Sequence, residues 1–420
     1  MARSTTFTYT VTVAASKFVI DGNSQQYITL FPGCTYEFNQ DDGTNSGHPL
    51  RFATQADAAN SSEYTTGVTT SGTPGSATAW TKIEVTSDTP VYLYYYCSVH
   101  SGYGGNINVL TSNINGSRGY ILGGAVGGAP GPGTNKVEFI IINTLGNASD
   151  FGDLTTSDHR NGFGGSSTTR SIVGGGVVAP AFTVNINVIE YITNASTGNG
   201  IDFGDLTAAT RRGSGASNNT RCLFAGGLTP GIVNTIEYVT IAQTGNATDF
   251  GDLTVATGDM ASGLNSPTRA VFAGGATPTK VNTIQYVTTA SAGNATDFGD
   301  LTIVKQFCAG VSSSTRGVTS GGNSSPSTPT NIVDYITIAS TGNATDFGDM
   351  NTIFDDSVIM GVSNSITGIY TGICAPSNGV RSNIMEYVNI ATTSNTVDFG
   401  DLTVATNSGC GTSDGHGGLQ

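Results

Sequence analysis

The sequence predicts an all-β protein in two parts, a β-sandwich over residues 1–112 and a closed ring of six four-stranded sheets over residues 113–420. Three observations carry this expectation. The tetrapeptide Asp-Phe-Gly-Asp occurs six times, ending at Asp153, Asp205, Asp252, Asp300, Asp349 and Asp401, and a near-constant step of that size marks one supersecondary unit copied six times. Charged residues are only 11% of the chain while Gly reaches 58 of 420 residues. Ordinary domains carry about 25% charged residues, so this is a turn-rich β composition. The leading segment lacks the repeat but alternates apolar and polar residues in short runs, the period of a strand.

In that segment Thr6–Val13, Tyr27–Leu30, Thr35–Asn39, Leu50–Ala53, Lys82–Val85, Val91–Tyr96 and Asn106–Leu110 read as the strands of the sandwich. The repeat is clearest between Arg221 and Pro267. Arg221–Gly227 is an apolar run ended by two glycines, and Asn234–Ala242 alternates. Thr244–Thr248 supplies hairpin chemistry, Asp-Phe-Gly-Asp-Leu forms a third strand and Met260–Ser266 a fourth. Four antiparallel strands in about 48 residues make one blade of a β-propeller. Units start near residues 118, 170, 221, 269, 316 and 367, and six blades follow. The first unit lacks an inner strand, and Asn407–Gly415 matches an inner strand with no unit after it. The end of the chain is therefore expected to complete the first blade and remove its open edge.

Two further repeat features call for explanation. Arg118, Arg170, Arg221, Arg269 and Arg316 recur ahead of Glu138, Glu190, Glu237, Gln285, Asp334 and Glu386, which predicts a ladder of Arg to carboxylate contacts. The paired aspartates suggest cation sites, but residues three apart on a regular strand face opposite ways. The structural expectation is that the first Asp caps the preceding turn, the Phe packs between blades and the second Asp binds backbone amides.

The blade resembles the kelch repeat, in which a strand ends in Gly-Gly and the next carries an aromatic. The glycine pairs are Gly123 with Gly124, Gly174 with Gly175, Gly226 with Gly227, Gly274 with Gly275 and Gly321 with Gly322. The aromatics are Phe139, Tyr191, Tyr238, Tyr286, Tyr335 and Tyr387. Ser-x-Thr-Arg and Gly-Asn-Ala-Thr stay nearly constant among copies, whereas the connections after Gly-Gly and after Asp-Phe-Gly-Asp vary. Alternate connections of an antiparallel blade share a face. The variable face, with His159, Arg160, Arg211, Arg212, Asp259, Gln306, Phe307, Asp355 and Asp356, is the expected binding surface.

In the leading segment, His48 starts a strand, and Cys97 is followed three residues later by His100. A remote His with Cys-x-x-His between two strands suits a trigonal copper site. This resembles the cupredoxin family, with His48, Cys97 and His100 at the equatorial ligand positions and Tyr103 where many members place a weak axial Met. The resemblance implies a copper site; the alternative is an inherited fold without metal.

The formal charge of −14 disfavours nucleic-acid partners. No run approaches the roughly 20 apolar residues of a membrane span, and the start lacks a signal-peptide core, so production in a cytoplasm is expected. Six scattered cysteines without a Cys-x-x-Cys pair read as isolated thiols. No Ser-His-Asp order or distinguishable carboxylate pair marks an enzyme. The Gly-, Ser-, Thr- and Asn-rich composition and the segment Glu63–Gly75 resemble virion proteins of phages infecting marine bacteria. That resemblance implies a tail fibre, spike or capsid-surface fibre, with the first domain held by other virion proteins and the propeller facing a host glycan or protein. The alternative is a cellular copper-binding module fused to a protein-interaction propeller.

Overall fold

The computed structural model describes residues 5–26, 28–30, 34–86, 88–90, 92–109, 118–127, 131–178, 184–260, 263–324, 328–352, 360–372 and 381–419. It divides into two units, Met1–Ile114 and Asn115–Gln420, and the regular elements among the described residues of both are strands and short 3-10 turns.

The first unit holds two sheets. One runs in the order Asn23–Ser24, Lys17–Ile20, Thr5–Ala14, Cys34–Asn39, Trp80–Glu84 and Val68–Ser71; the other runs Ile28–Leu30, Gly105–Val109, Tyr92–Cys97, Leu50–Ala53 and Glu63–Tyr64. Alternation drives the burial: Cys34, Tyr36 and Phe38 point inward from their strand. Phe38 meets Phe52 of the second sheet edge-on at 5.3 Å, so the two apolar faces share a core. Lys17–Ile20 and Val68–Ser71 are strands that short alternation in the sequence does not reveal.

The second unit contains six antiparallel repeat sheets of one pattern, exemplified by Ser214–Ser217, Arg221–Ala225, Thr235–Thr240 and Thr248–Asp252 in spatial order. In the first sheet the innermost place belongs to Cys410–Ser413, with Gly119 opposite Ser413 and Leu122 opposite Cys410. Hydrogen bonds join the six inner strands in a cycle. Ser166 N–H donates to Ser217 Oγ at 2.8 Å, Ser217 to Asn265 Oδ1 at 2.8 Å, and Asn265 to Ser312 Oγ at 3.0 Å. Ser312 then donates to Ser363 Oγ at 3.1 Å, Ser363 to Ser413 Oγ at 3.4 Å, and Ser413 back to Ser166 Oγ at 3.3 Å. Glycines permit this closeness: a Cβ on Gly215 would collide with the Gly164 carbonyl.

Each Asp-Phe-Gly-Asp strand carries a bulge. Gly251 lies opposite Ile236 and Asp249 opposite Glu237, leaving Phe250 as the extra residue. The Phe turns inward and meets the aromatic of its own sheet edge-on, as for Tyr238 and Phe250 at 5.7 Å. It also packs between sheets, since Phe203 shares a core cluster with Val239 and Ile241 of the next repeat. The loop of the next repeat runs along the bulged strand. Asp205 N–H donates to Asn246 Oδ1 at 3.0 Å, and Ala247 N–H donates to Asp205 O at 2.8 Å. The second Asp thus takes part through its backbone, which corrects the expectation that its side chain gathers amides.

Two more expectations are corrected. In the second repeat the glycines with left-handed φ are Gly175 and Gly176, at +62° and +105°, matching Gly226 and Gly227 at +59° and +105°; Gly174 is still strand. The Arg to carboxylate ladder does not form. Arg118, Arg170, Arg221, Arg269 and Arg316 lie over Phe139, Tyr191, Tyr238, Tyr286 and Tyr335 with the guanidinium carbon 4.3 to 5.5 Å from the ring centre. They donate to backbone carbonyls of the following repeat, as Arg221 does to Thr289 O at 2.8 Å. Register explains this, for Arg221 sits opposite Thr240, three residues past Glu237, or about 10 Å along a strand. The carboxylates instead accept from the preceding repeat. Thr403 N–H reaches Glu138 at 2.9 Å, Thr156 N–H reaches Glu190 at 3.0 Å, Thr207 N–H reaches Glu237 at 2.7 Å, and Asn351 N–H reaches Glu386 at 3.2 Å.

Candidate metal centre and candidate binding face

His48 is fixed from its backbone. A 3-10 turn at Gly43–Asn45 precedes it, its N–H donates to Asn45 O at 2.8 Å, and its carbonyl accepts from Gln40 Nε2 at 2.9 Å. Leu50, two residues later, pairs with Cys97 at the end of the neighbouring strand, so strand pairing brings the imidazole and the thiol together. His100 arrives on the loop that follows. Asp57 holds that loop, accepting from Ser101 Oγ at 2.8 Å and from Gly102 N–H at 2.9 and 3.1 Å. Lys17 and Gln25 hold the Gly102 carbonyl from the other side.

The three side chains form a group that could hold a metal ion. Cys97 Sγ lies 3.8 Å from His48 Nδ1 and 3.6 Å from His100 Nδ1, and one ligand atom from each residue falls within 4.8 Å of the others. Metal to sulfur and metal to nitrogen bonds of about 2.3 and 2.0 Å at tetrahedral or trigonal angles put S and N roughly 3.5 to 3.7 Å apart, close to these spacings. Cys97 is buried, His48 half-buried and His100 exposed. Burial, with a smaller contribution from the neighbouring His100, lowers the basicity of His48 and favours the neutral ligand form. Tyr103 stacks its ring on His48 at 4.8 Å and lies 5.3 Å from His100, walling the site with an aromatic face.

The expected binding face is corrected more heavily. The two sets of connections do meet, with Arg160 paired to Val177 and Arg211 to Leu228. The named residues, however, are buried or half-buried: His159 is 2% and Phe307 6% exposed, and Arg160, Arg211, Arg212, Asp259 and Gln306 are intermediate. Backbone relays consume them. Arg212 N–H donates to Asn161 O at 3.0 Å, Asp259 N–H to Arg212 O at 2.9 Å, and Phe307 N–H to Asp259 O at 2.9 Å. Arg212 pairs with Asp259 at 3.5 Å and lies over Phe307 at 5.3 Å. Chain that crosses from one sheet to the next must satisfy its own backbone where neighbours exclude water. Asp355 and Asp356 lie outside the described residues. His159 donates from Nε2 to Gly175 O at 2.8 Å and is a packed, neutral group held down by burial.

The sequence reading missed a fully buried ion pair between Lys305 and Asp334 at 2.8 Å. Its signal was available: Asp334 is the one aspartate among the six equivalent positions. It also missed His416, which accepts Gly418 N–H at Nδ1 and lies, through Nε2, 3.1 Å from Ser217 Oγ and 3.2 Å from Ser166 O. Cys34, Cys97, Cys222, Cys308 and Cys410 are buried and form no disulfide among the described residues; Cys374 lies outside the described residues. Among the described residues no helix is long and apolar enough to cross a membrane. No protein-family model matches the chain, and no curated protein matches it.

Proposed function

We propose that the chain is a virion appendage protein, a tail fibre, spike or capsid-surface fibre, built as a cupredoxin-like sandwich followed by a six-bladed β-propeller that its C-terminal strand closes. The observation that carries this reading is the cyclic relay from Ser166 through Ser413 and back. It fits a ring whose constant polar residues serve the frame and leave the variable connections after the glycine pairs, such as 228–233 and 276–281, for contact with a host glycan or protein. The sandwich is the part that other virion proteins hold. Mass spectrometry and antibody labelling of purified particles test this: the chain is expected on the particle exterior, and its absence from particles of a phage that encodes it overturns the reading.

A second reading is favoured by the spacing of His48, Cys97 and His100. The first unit binds one copper ion through the Cys97 thiolate and both imidazoles, with Tyr103 in place of a fourth ligand. Bound copper would supply one-electron redox chemistry; the protein's part is to hold a neutral His48 and shield the thiolate. Copper stoichiometry and a thiolate charge-transfer colour lost on Cys97→Ser test it, and a colourless, copper-free protein after reconstitution overturns it.

A further inference from the structure

We propose that the cavity beside Glu237 binds a primary alkylammonium group from outside the protein. Six equivalent strand positions carry Glu138, Glu190, Glu237, Gln285, Asp334 and Glu386, and the repeats neutralise them differently. At Asp334 the chain supplies its own ammonium: Lys305 reaches from the preceding connection to the carboxylate at 2.8 Å and to Ile332 O at 3.2 Å, with both side chains fully buried. At Glu138 a lysine is again close, with Lys136 Nζ 3.8 Å away. At Gln285 the charge is absent, and the amide oxygen accepts Thr254 N–H and Oγ–H, both at 2.8 Å.

Glu237 has neither solution. The counterpart of Lys305 is Thr210, as the backbone shows: Gly275 donates to Lys305 O at 2.8 Å and Gly176 to Thr210 O at 2.7 Å, while the amides of both residues reach the preceding connection at 3.2 Å. Thr210 is far shorter than a lysine. The space that the lysine fills at Asp334 is left as a cavity of about 110 Å³ lined by Thr210, Glu237 and Thr235, where Thr235 is the counterpart of Ile332. One water needs only about 15 Å³. Phe163 and Phe224 wall the cavity, a surface for an aliphatic stem, and the exposed Thr207 and Ala208 lie at its rim. Glu237 accepts Thr207 N–H at 2.7 Å and takes part in none of the ion pairs among the described residues. Burial, partly offset by Thr207, pushes its carboxyl above the usual range. An ammonium in the cavity would reverse that shift by direct charge contact. The Lys305 and Asp334 pair is thus an internal copy of the complex that the Glu237 cavity is shaped to form.

This inference rests on the repeat geometry and stands whether or not the chain belongs to a virion. The test is saturation-transfer NMR on the intact protein at pH 7.5 with n-butylamine, which is an ammonium there, and with n-butanol as the uncharged match. Two variants copy residues that the fold already accommodates: Glu237→Gln reproduces Gln285, and Thr210→Lys reproduces Lys305. Saturation transfer to n-butylamine, absent for n-butanol and lost at least tenfold in both variants, is the expected result. Nα-acetyl-lysine amide and glucosamine then distinguish a lysine side chain from an amino sugar as the natural source. No binding of n-butylamine to the folded wild type, equal binding of n-butanol, or binding that survives in either folded variant overturns the proposal.

Discussion

Ser413 donates its backbone N–H to Ser166 Oγ at 3.3 Å, and Ser166 Oγ–H donates to Ser413 O at 2.6 Å, across 247 residues of sequence. This reciprocal pair is the last link of the inner cycle, and both residues are buried. Ser166→Ala breaks both bonds and leaves buried backbone groups unmet, at an expected cost of about 1–3 kcal/mol. Urea denaturation should show it, while Ser291→Ala at an exposed turn leaves the midpoint unchanged. Equal midpoints for the two variants would count against the cycle as a stabilising element.

The bulge glycines make a sharper pair. A Cβ on Gly251, whose φ is +146°, would stand 2.5 Å from the Gly293 carbonyl carbon, whereas one on Gly293 meets nothing within 4 Å. Gly251→Ala should destabilise by about 1–3 kcal/mol through overpacking and strain. Gly293→Ala should be close to neutral in the same thermal melt.

Removing Lys305 strands Asp334 in a fully buried place. Lys305→Met is expected to cost about 3–5 kcal/mol, because an uncompensated buried charge is worse than no pair. Combining Lys305→Thr with Asp334→Gln reproduces the residues found at Thr257 and Gln285, removes both charges, and should recover most of the loss in a double-mutant cycle.

Acid should weaken the second unit through His416. Its Nδ1 accepts Gly418 N–H, so a second proton there meets a donor, and burial lowers its pKa from 6.5 to about 4. The unfolded chain therefore takes up the proton first. Stability is unaffected above about pH 6.5, falls between pH 6.5 and 4, and levels off below; one unit is worth about 1.4 kcal/mol, so the loss is on the order of 3 kcal/mol. His159 shifts the same way, again through burial. In His416→Gln the slope of stability against pH over this window should flatten.

Asp57 would be a positioning residue for the proposed copper site, since it touches the loop that carries His100 and not His48, Cys97 or His100. Asp57→Ala should lower copper affinity about tenfold and broaden the charge-transfer band while the melting temperature of the metal-free protein barely moves. An unchanged affinity would show that the loop holds its shape without the clamp.

The repeat, the strand order and the pairing of the C-terminal strand with the first sheet were legible because period, alternation and an unmatched end are local patterns in the sequence. The His48, Cys97 and His100 cluster was legible because strand pairing fixes which loop ends meet. Arg221 misled because sequence spacing places it near Glu237, and only the register shows it opposite Thr240. Arg212, Asp259 and Phe307 misled for another reason: variation among copies resembled surface freedom, although these residues bond through their backbones, a role that many side chains satisfy. The bulge at Gly251 left its trace in the spacing of the motif but not its direction, which depends on the loop of the next repeat.

Pairing Cys410–Ser413 with Arg118–Val126 also sets a timetable. During synthesis the first sheet must wait, with its inner edge bare, until some 290 later residues of the ring have left the ribosome. A product cut short anywhere before residue 410 therefore keeps an unmatched strand on offer. Length is in effect proofread at this edge: chains that include Cys410–Ser413 hide it, and shorter ones display it to chaperones and proteases.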